Sequence, residues 1–126
     1  MAKSQYQVHY ATKSASLIHA IHHKLSNHAD AKTIITGLNE LNPLRCAPND
    51  LDVLLIDEAH RIEEYYYYGK NRCKVSDTPQ IDLLLRSTKV LVAFIDDKQA
   101  IRSAETGSTH MIEECAHRCN AEIIHI

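Results

Sequence analysis

LDVLLIDEAHR, residues 51–61, decides how the rest of the chain is read. Val53, Leu54, Leu55 and Ile56 form an apolar run too short for a convincing helix, and it suits a strand buried on both faces, as parallel strands are. The run ends at Asp57 and Glu58. Carboxylates at the carboxyl end of a parallel strand stand where open α/β sheets bind ligands, in the crevice beyond the strand ends. One carboxylate there can hold a hard cation such as Mg²⁺ through oxygen, and its neighbour can orient or deprotonate a water. Acidic residues after a strand also serve simply to begin a loop or cap the next helix, and the stretch alone leaves both roles open.

Outward from this stretch, strand and helix patterns alternate. Val90 to Ile95 repeats the buried-strand signal and ends in Asp96, Asp97, Lys98 and Gln99. Residues 6–11, centred on Val8, read as a strand, and Thr12, Lys13 and Ser14 turn into a helix over residues 15–27, with Ser14 or Ser16 as its cap. In that helix Leu17, Ile18, Ile21 and Leu25 recur at helical spacing. Residues 29–50 carry a weak pattern, with a possible short strand at 33–36 and turn residues Asn42, Pro43, Pro48 and Asn49. Thr78 and Pro79 open a helix with Ile81, Leu84 and Leu85 on one face. Gly107 and Ser108 introduce a last helix over 109–119, and residues 122–126 read as a closing strand. The alternation predicts an α/β domain, a mainly parallel sheet with flanking helices and right-handed crossovers.

The chain of 126 residues has the length of one domain, with 14 Lys and Arg against 16 Asp and Glu. A net charge of −2 predicts no general attraction to nucleic acid or acidic membranes, so any nucleic-acid contact is local. No apolar run is long enough to span a bilayer and the polar start MAKSQYQ is unlike a signal peptide, so the expectation is a cytoplasmic protein with no membrane partner. Cys46, Cys73, Cys115 and Cys119 lack the paired spacing of a zinc module and read as reduced thiols. Cys115 and Cys119 stand four apart beside Ile112 and Ala116, which favours core packing over ligation. His19, His22 and His23 read as a solvated face. Tyr65, Tyr66, Tyr67 and Tyr68, followed by Gly69, Lys70, Asn71 and Arg72, could stack on unpaired bases, but the pattern favours a loop whose rings cover the core or a partner domain.

Strand, Asp, Glu, Ala, His resembles the Walker B motif of P-loop helicase-like ATPases in its DEAH spelling, and strand followed by DDKQ resembles motif III of superfamily 1 helicases. The nearest family is the helicase-like ATPase domain of Schlafen-type proteins. The resemblance implies a partial RecA-like P-loop NTPase core, Rossmann-like and three-layered, over residues 1–126 as a single, incomplete domain. It also implies ATP and Mg²⁺ as cofactors of the full-length parent: Asp57 would hold the metal, Glu58 would activate the attacking water, Gln99 would sense the γ-phosphate, and His60 and Arg61 would link the nucleotide site to neighbouring motifs. VHYATKSASL occupies the place of motif Ia, which suggests Thr12 and Ser14 as contacts to single-stranded nucleic acid.

Only Gly37, Gly69 and Gly107 occur, so no GxxxxGK[ST] loop is present. The expectation is an interior piece of the ATPase domain, truncated or a natural remnant, that binds no nucleotide tightly and is inactive by itself. The missing remainder of that domain would be its partner, and an exposed sheet edge invites homo-oligomers. Two other readings stand beside this one. Asp57, Glu58, Asp96 and Asp97 could converge as a two-metal phosphoesterase site, or the fold could serve as a non-catalytic interaction module.

Overall fold

The computed structural model describes residues 5–41, 43–99 and 105–126. The start of the chain, the turn residue Asn42 and residues 100–104 lie outside that description. The elements, in order, are β1 (Val8–Thr12), α1 (Ala15–Lys24), the single turn α2 (Ala31–Ile34), β2 (Ile35–Gly37), β3 (Leu51–Ile56), β4 (Tyr65–Tyr68), β5 (Cys73–Pro79), α3 (Gln80–Ser87), β6 (Thr88–Ala93) and α4 (Thr109–Arg118).

Four strands form one sheet in the order β2-β1-β3-β6. Every pairing in it is parallel: Tyr10 stands beside Ile35 on one side and Leu55 on the other, and Leu55 in turn beside Val92. The expected mainly parallel α/β sheet with flanking helices is what forms. Leu54 and Ile56 are fully buried at its centre, where they join Ala11, Leu38, Ile62, Ile81, Leu84 and Cys115 in one core. From β1 the chain steps outward to β2, whereas from β3 it steps the opposite way to β6. The first of these steps carries α1 and α2, and the second carries α3. The switch in direction opens a crevice between the carboxyl ends of β1 and β3.

Helix starts follow the sequence closely. Ser14 caps α1 by accepting from the Leu17 amide at 3.4 Å, and Ser108 caps α4 by accepting from the Met111 amide at 3.1 Å. Three expectations need correction. The tyrosine stretch is not a loop but the antiparallel hairpin of β4 and β5, turned by Gly69 at φ 75 and Arg72 at φ 49. Its alternation buries Tyr66, whose hydroxyl donates to the Asn39 carbonyl at 2.6 Å, while Lys74 and Arg72 stand over the rings of Tyr65 and Tyr67. Second, the possible strand at 33–36 starts later, because Ala31–Ile34 first closes a helical turn. Third, residues 122–126 form no strand. Their β-branched composition signalled one, yet a strand requires a neighbour to satisfy its backbone groups, and Ile124 and Ile126 remain exposed. β6 is therefore paired on one side only among the described residues, with Val90 and Phe94 more than half exposed at 52% and 54%.

Candidate functional site

Asp57 leaves β3 at the crevice, where its amide donates to the Ala11 carbonyl of β1 at 3.0 Å. Its two carboxylate oxygens are held separately. Oδ2 accepts from the Tyr10 hydroxyl at 2.8 Å and Oδ1 from the Glu58 amide at 3.0 Å. Burial, reinforced by the hydrogen bond to Asp57, pushes the Tyr10 phenol up to about 12, so it stays a neutral donor. Each carboxylate oxygen keeps a further lone pair, and oxygen donors of this kind suit a hard cation such as Mg²⁺.

Glu58 adopts the left-handed backbone region at φ 50, ψ 49. For a side chain of this size that conformation costs about 1–2 kcal/mol, and such strain persists where the surroundings impose it. The surroundings here are specific. A short 3-10 turn, Ala59–Arg61, follows at once; the Ala59 amide donates to the Phe94 carbonyl at 2.9 Å and the Phe94 amide to the Ile56 carbonyl at 2.9 Å, so the turn is pinned to the end of β6. Gly107 lies against the same turn so closely that a Cβ there would stand 2.1 Å from the Ala59 carbonyl oxygen and 2.8 Å from His60 Cα.

Arg61 links the turn to its surroundings. Its Nη1 meets Glu58 Oε2 at 3.1 Å and its Nε meets Glu105 Oε1 at 3.2 Å. Burial alone would lower its pKa, but the bonds to Glu58 and Glu105 outweigh burial and raise it. His60 is 4% exposed, and its Nδ1 has no hydrogen-bond partner among the described residues.

Beside this turn an open cleft of about 370 Å³ lies across the ends of β1 and β2, lined among others by Lys13, Asn39, Arg61, Glu63, Arg72 and Glu105. Its ionic centre is Glu63, with Lys13 Nζ on Oε1 at 2.6 Å and Arg72 Nη2 on Oε2 at 2.7 Å. Burial raises the Glu63 pKa, but the two cations outweigh it and hold the carboxyl below its usual range. Lys13 and Glu63 side chains are each 8% exposed, so this pair is largely withdrawn from water. The buried Gln80 side chain completes the arrangement by accepting from the Glu63 amide at 2.9 Å.

The sequence-predicted residues do not all meet. Asp57, Glu58, His60 and Arg61 share one turn. Thr12 is fully buried with its hydroxyl accepting from the Ser14 amide at 3.2 Å, and the Ser14 hydroxyl caps α1, so both are spent on building the helix entrance. Gln99 is exposed in the turn after β6, and its amide donates to the Asp96 carbonyl at 3.2 Å. None of the described hydrogen bonds joins Gln99 to Asp57 or Glu58. Asp96 accepts from the Lys98 amide, and Asp97 Oδ1 accepts from the Thr109 amide at 2.9 Å, at the start of α4. Among the described residues Asp57, Glu58, Asp96 and Asp97 do not converge as a metal cluster. The two-metal phosphoesterase geometry is therefore not formed, because Asp96 and Asp97 are exposed and used as loop and helix caps.

Sequence reasoning missed Tyr10, Glu63 and Glu105, and it read Arg72 only as part of the tyrosine stretch. Tyr10 could have been found from strand register, since it faces Leu55 two residues before Asp57. Glu63 pairs with Lys13 fifty residues away, and no local pattern marks that.

Asp57 and Glu58 thus follow β3 where the sheet changes direction, and DDKQ follows the neighbouring strand β6. The model of the Schlafen group 3 DNA/RNA helicase domain matches residues 1–126. The chain belongs to that family. No curated protein and no solved structure matched it. In this Schlafen helicase domain the described helices include none long and apolar enough to cross a membrane.

Proposed function

We propose that this Schlafen helicase domain contributes the metal- and water-handling half of a superfamily 1 ATPase site that works on nucleic acid. The observation that carries the reading is the Asp57–Glu58 pair at the crevice between β1 and β3, with Asp57 oriented by Tyr10 and Glu58 held in a left-handed conformation. Asp57 would hold Mg²⁺, largely through waters, and the metal would supply neutralising charge at the phosphates. Glu58 sits beside it as the residue that orients and deprotonates the attacking water. Its contact with Arg61 places the carboxylate, and Arg61 ties that placement to Glu105. Gln99 reaches the γ-phosphate from the end of β6. His60 reports from the same turn. The turn that Thr12 and Ser14 build into the start of α1 faces single-stranded nucleic acid.

The chain holds no phosphate-gripping GxxxxGK[ST] loop, and phosphoryl transfer depends on such positioning and charge neutralisation. The test has two arms. Calorimetry and phosphate release with this chain and Mg²⁺-ATP are expected to show no tight binding and no turnover; hydrolysis abolished by Glu58→Gln would overturn the dependence on a separate loop. In a protein that joins this domain to a GxxxxGK[ST] loop, Glu58→Gln is expected to stop hydrolysis while ATP binding persists. Undiminished hydrolysis by that variant would refute the role given to Glu58.

A further inference from the structure

Away from the Asp57–Glu58 turn, α3 and α4 bring three ligand-bearing side chains together. Asp82 comes from the first turn of α3, Cys115 from the last half of α4, and Cys119 from its C-cap. One carboxylate oxygen and the two sulfurs all lie within 4.8 Å of one another. The Cys115 thiol donates to Asp82 Oδ1, and Arg118 Nη2 donates to the same oxygen at 3.0 Å.

Several features set this cluster apart from ordinary helix packing. Cys115 is fully buried, and the Asp82 side chain facing it is only 15% exposed. An apolar contact would have served the helix pair better than a carboxylate in that position. Cys115 and Cys119 stand one helical turn apart, the spacing that presents two ligands from one face to a single ion. Tetrahedral zinc, with Zn–S about 2.3 Å and Zn–O about 2.1 Å, places its ligand atoms roughly 3.4–3.8 Å apart, within the span observed. The charge also balances. Two thiolates and a carboxylate around a divalent cation leave one negative charge, which Arg118 on Asp82 offsets, in the manner of outer-shell partners that hold ligating carboxylates.

We propose that Asp82, Cys115 and Cys119 form a site for a borderline-soft divalent cation, zinc foremost, with water as the fourth ligand. Binding replaces the two thiol protons, which pass to solvent. The ion clamps α4 onto α3. Because the first residue of α4, Thr109, is hooked by Asp97 of the DDKQ turn, the clamp also steadies that turn. The site uses none of the residues assigned to ATP or nucleic acid, so its failure and theirs are separable.

The test is titration of the reduced chain with Co²⁺, read by the charge-transfer absorption of cobalt thiolate, followed by displacement with Zn²⁺. The expected result is one ion per chain with thiolate absorption, displaced by one equivalent of zinc. Thermal unfolding should rise by about 8 °C at a free zinc concentration about a hundred times Kd. Cys119→Ser, at an exposed position that leaves the core intact, should weaken binding by at least about 100-fold, since even an outer-shell loss costs about 10- to 100-fold. Asp82→Asn should weaken it as well. A Cys46→Ser/Cys73→Ser double variant should keep the full signal. Absence of cobalt thiolate absorption in the reduced chain, its persistence in Cys119→Ser, or its loss in the Cys46/Cys73 variant would each overturn the proposal.

Discussion

Replacing Gly107 by alanine tests whether the turn that carries Glu58, His60 and Arg61 is braced from behind. Gly107 has no positive φ to protect, so the whole effect of the added methyl is steric. The Cβ would stand 2.1 Å from the Ala59 carbonyl oxygen and 2.8 Å from both His60 C and His60 Cα. Ordinary contacts begin near 3.5 Å, so the two backbone segments must separate by more than about 1 Å. Neither is a flexible side chain that can swing aside. Overpacking of this kind costs about 1–3 kcal/mol. The separation also strains the Thr106 and Gly107 amides, which donate to the Ile62 carbonyl at 2.8 and 3.1 Å, at about 1 kcal/mol each. The total is about 3–5 kcal/mol, or a fall in melting temperature of about 10–15 °C for a domain of this length. Gly69→Ala is the matched control. There φ is +75 and nothing lies within 4 Å, so only the left-handed conformation is penalised, at about 1–2 kcal/mol. Thermal unfolding followed by circular dichroism compares the two. A Gly107→Ala loss no larger than that of Gly69→Ala would refute the bracing.

Lys13→Met leaves Glu63 with one cation instead of two in a site largely closed to water, and should destabilise the fold by about 3 kcal/mol in denaturant titration; a change below about 1 kcal/mol would mean that Arg72 suffices. The folded pKa of Glu63 is lowered, so its stabilising contribution is fully present above the unfolded carboxyl value and disappears as pH falls through the folded one. Acid unfolding of Glu63→Gln should accordingly lack part of the wild-type loss below about pH 4, and identical acid limbs would count against the ionic centre. Tyr10 has its pKa raised to about 12, so its contribution is intact below pH about 10 and lost as pH climbs through the folded value. An ultraviolet titration should show a late phenol phase that Tyr10→Phe removes; retention of that phase would assign it to another tyrosine. The edge of β6 that is unpaired among the described residues should also drive self-association, which light scattering would detect as a concentration-dependent mass, and Val90→Lys with Phe94→Lys should weaken it at least tenfold. A monomeric mass throughout would dismiss that edge as an interface.

The parallel sheet was legible because buried strands write themselves as unbroken apolar runs: Val53 to Ile56 and Val90 to Ile95 need no partner information to be recognised. Helix starts were legible for the same local reason, since Ser14 and Ser108 satisfy amides within three residues of themselves. The carboxylates Asp57 and Glu58 could be placed at a strand end before any coordinates. Residues 122–126 show the limit of such reasoning, because β-branched side chains favour a strand only when a neighbouring strand is present to pair with. The tyrosines show it too, since their hairpin depends on where Tyr66 finds the Asn39 carbonyl.

Sequence by itself therefore determined the α/β class, the strand that ends in DEAH and the family to which these motifs belong. Tertiary structure alone decided that Tyr10 orients Asp57, that Glu63 gathers Lys13 and Arg72, and that Asp82 meets Cys115 and Cys119. The physical reason is separation along the chain. Propensity, capping and periodicity act over a few residues, whereas these contacts join groups from 9 to 50 positions apart and exist only once the sheet order and helix packing bring their elements together.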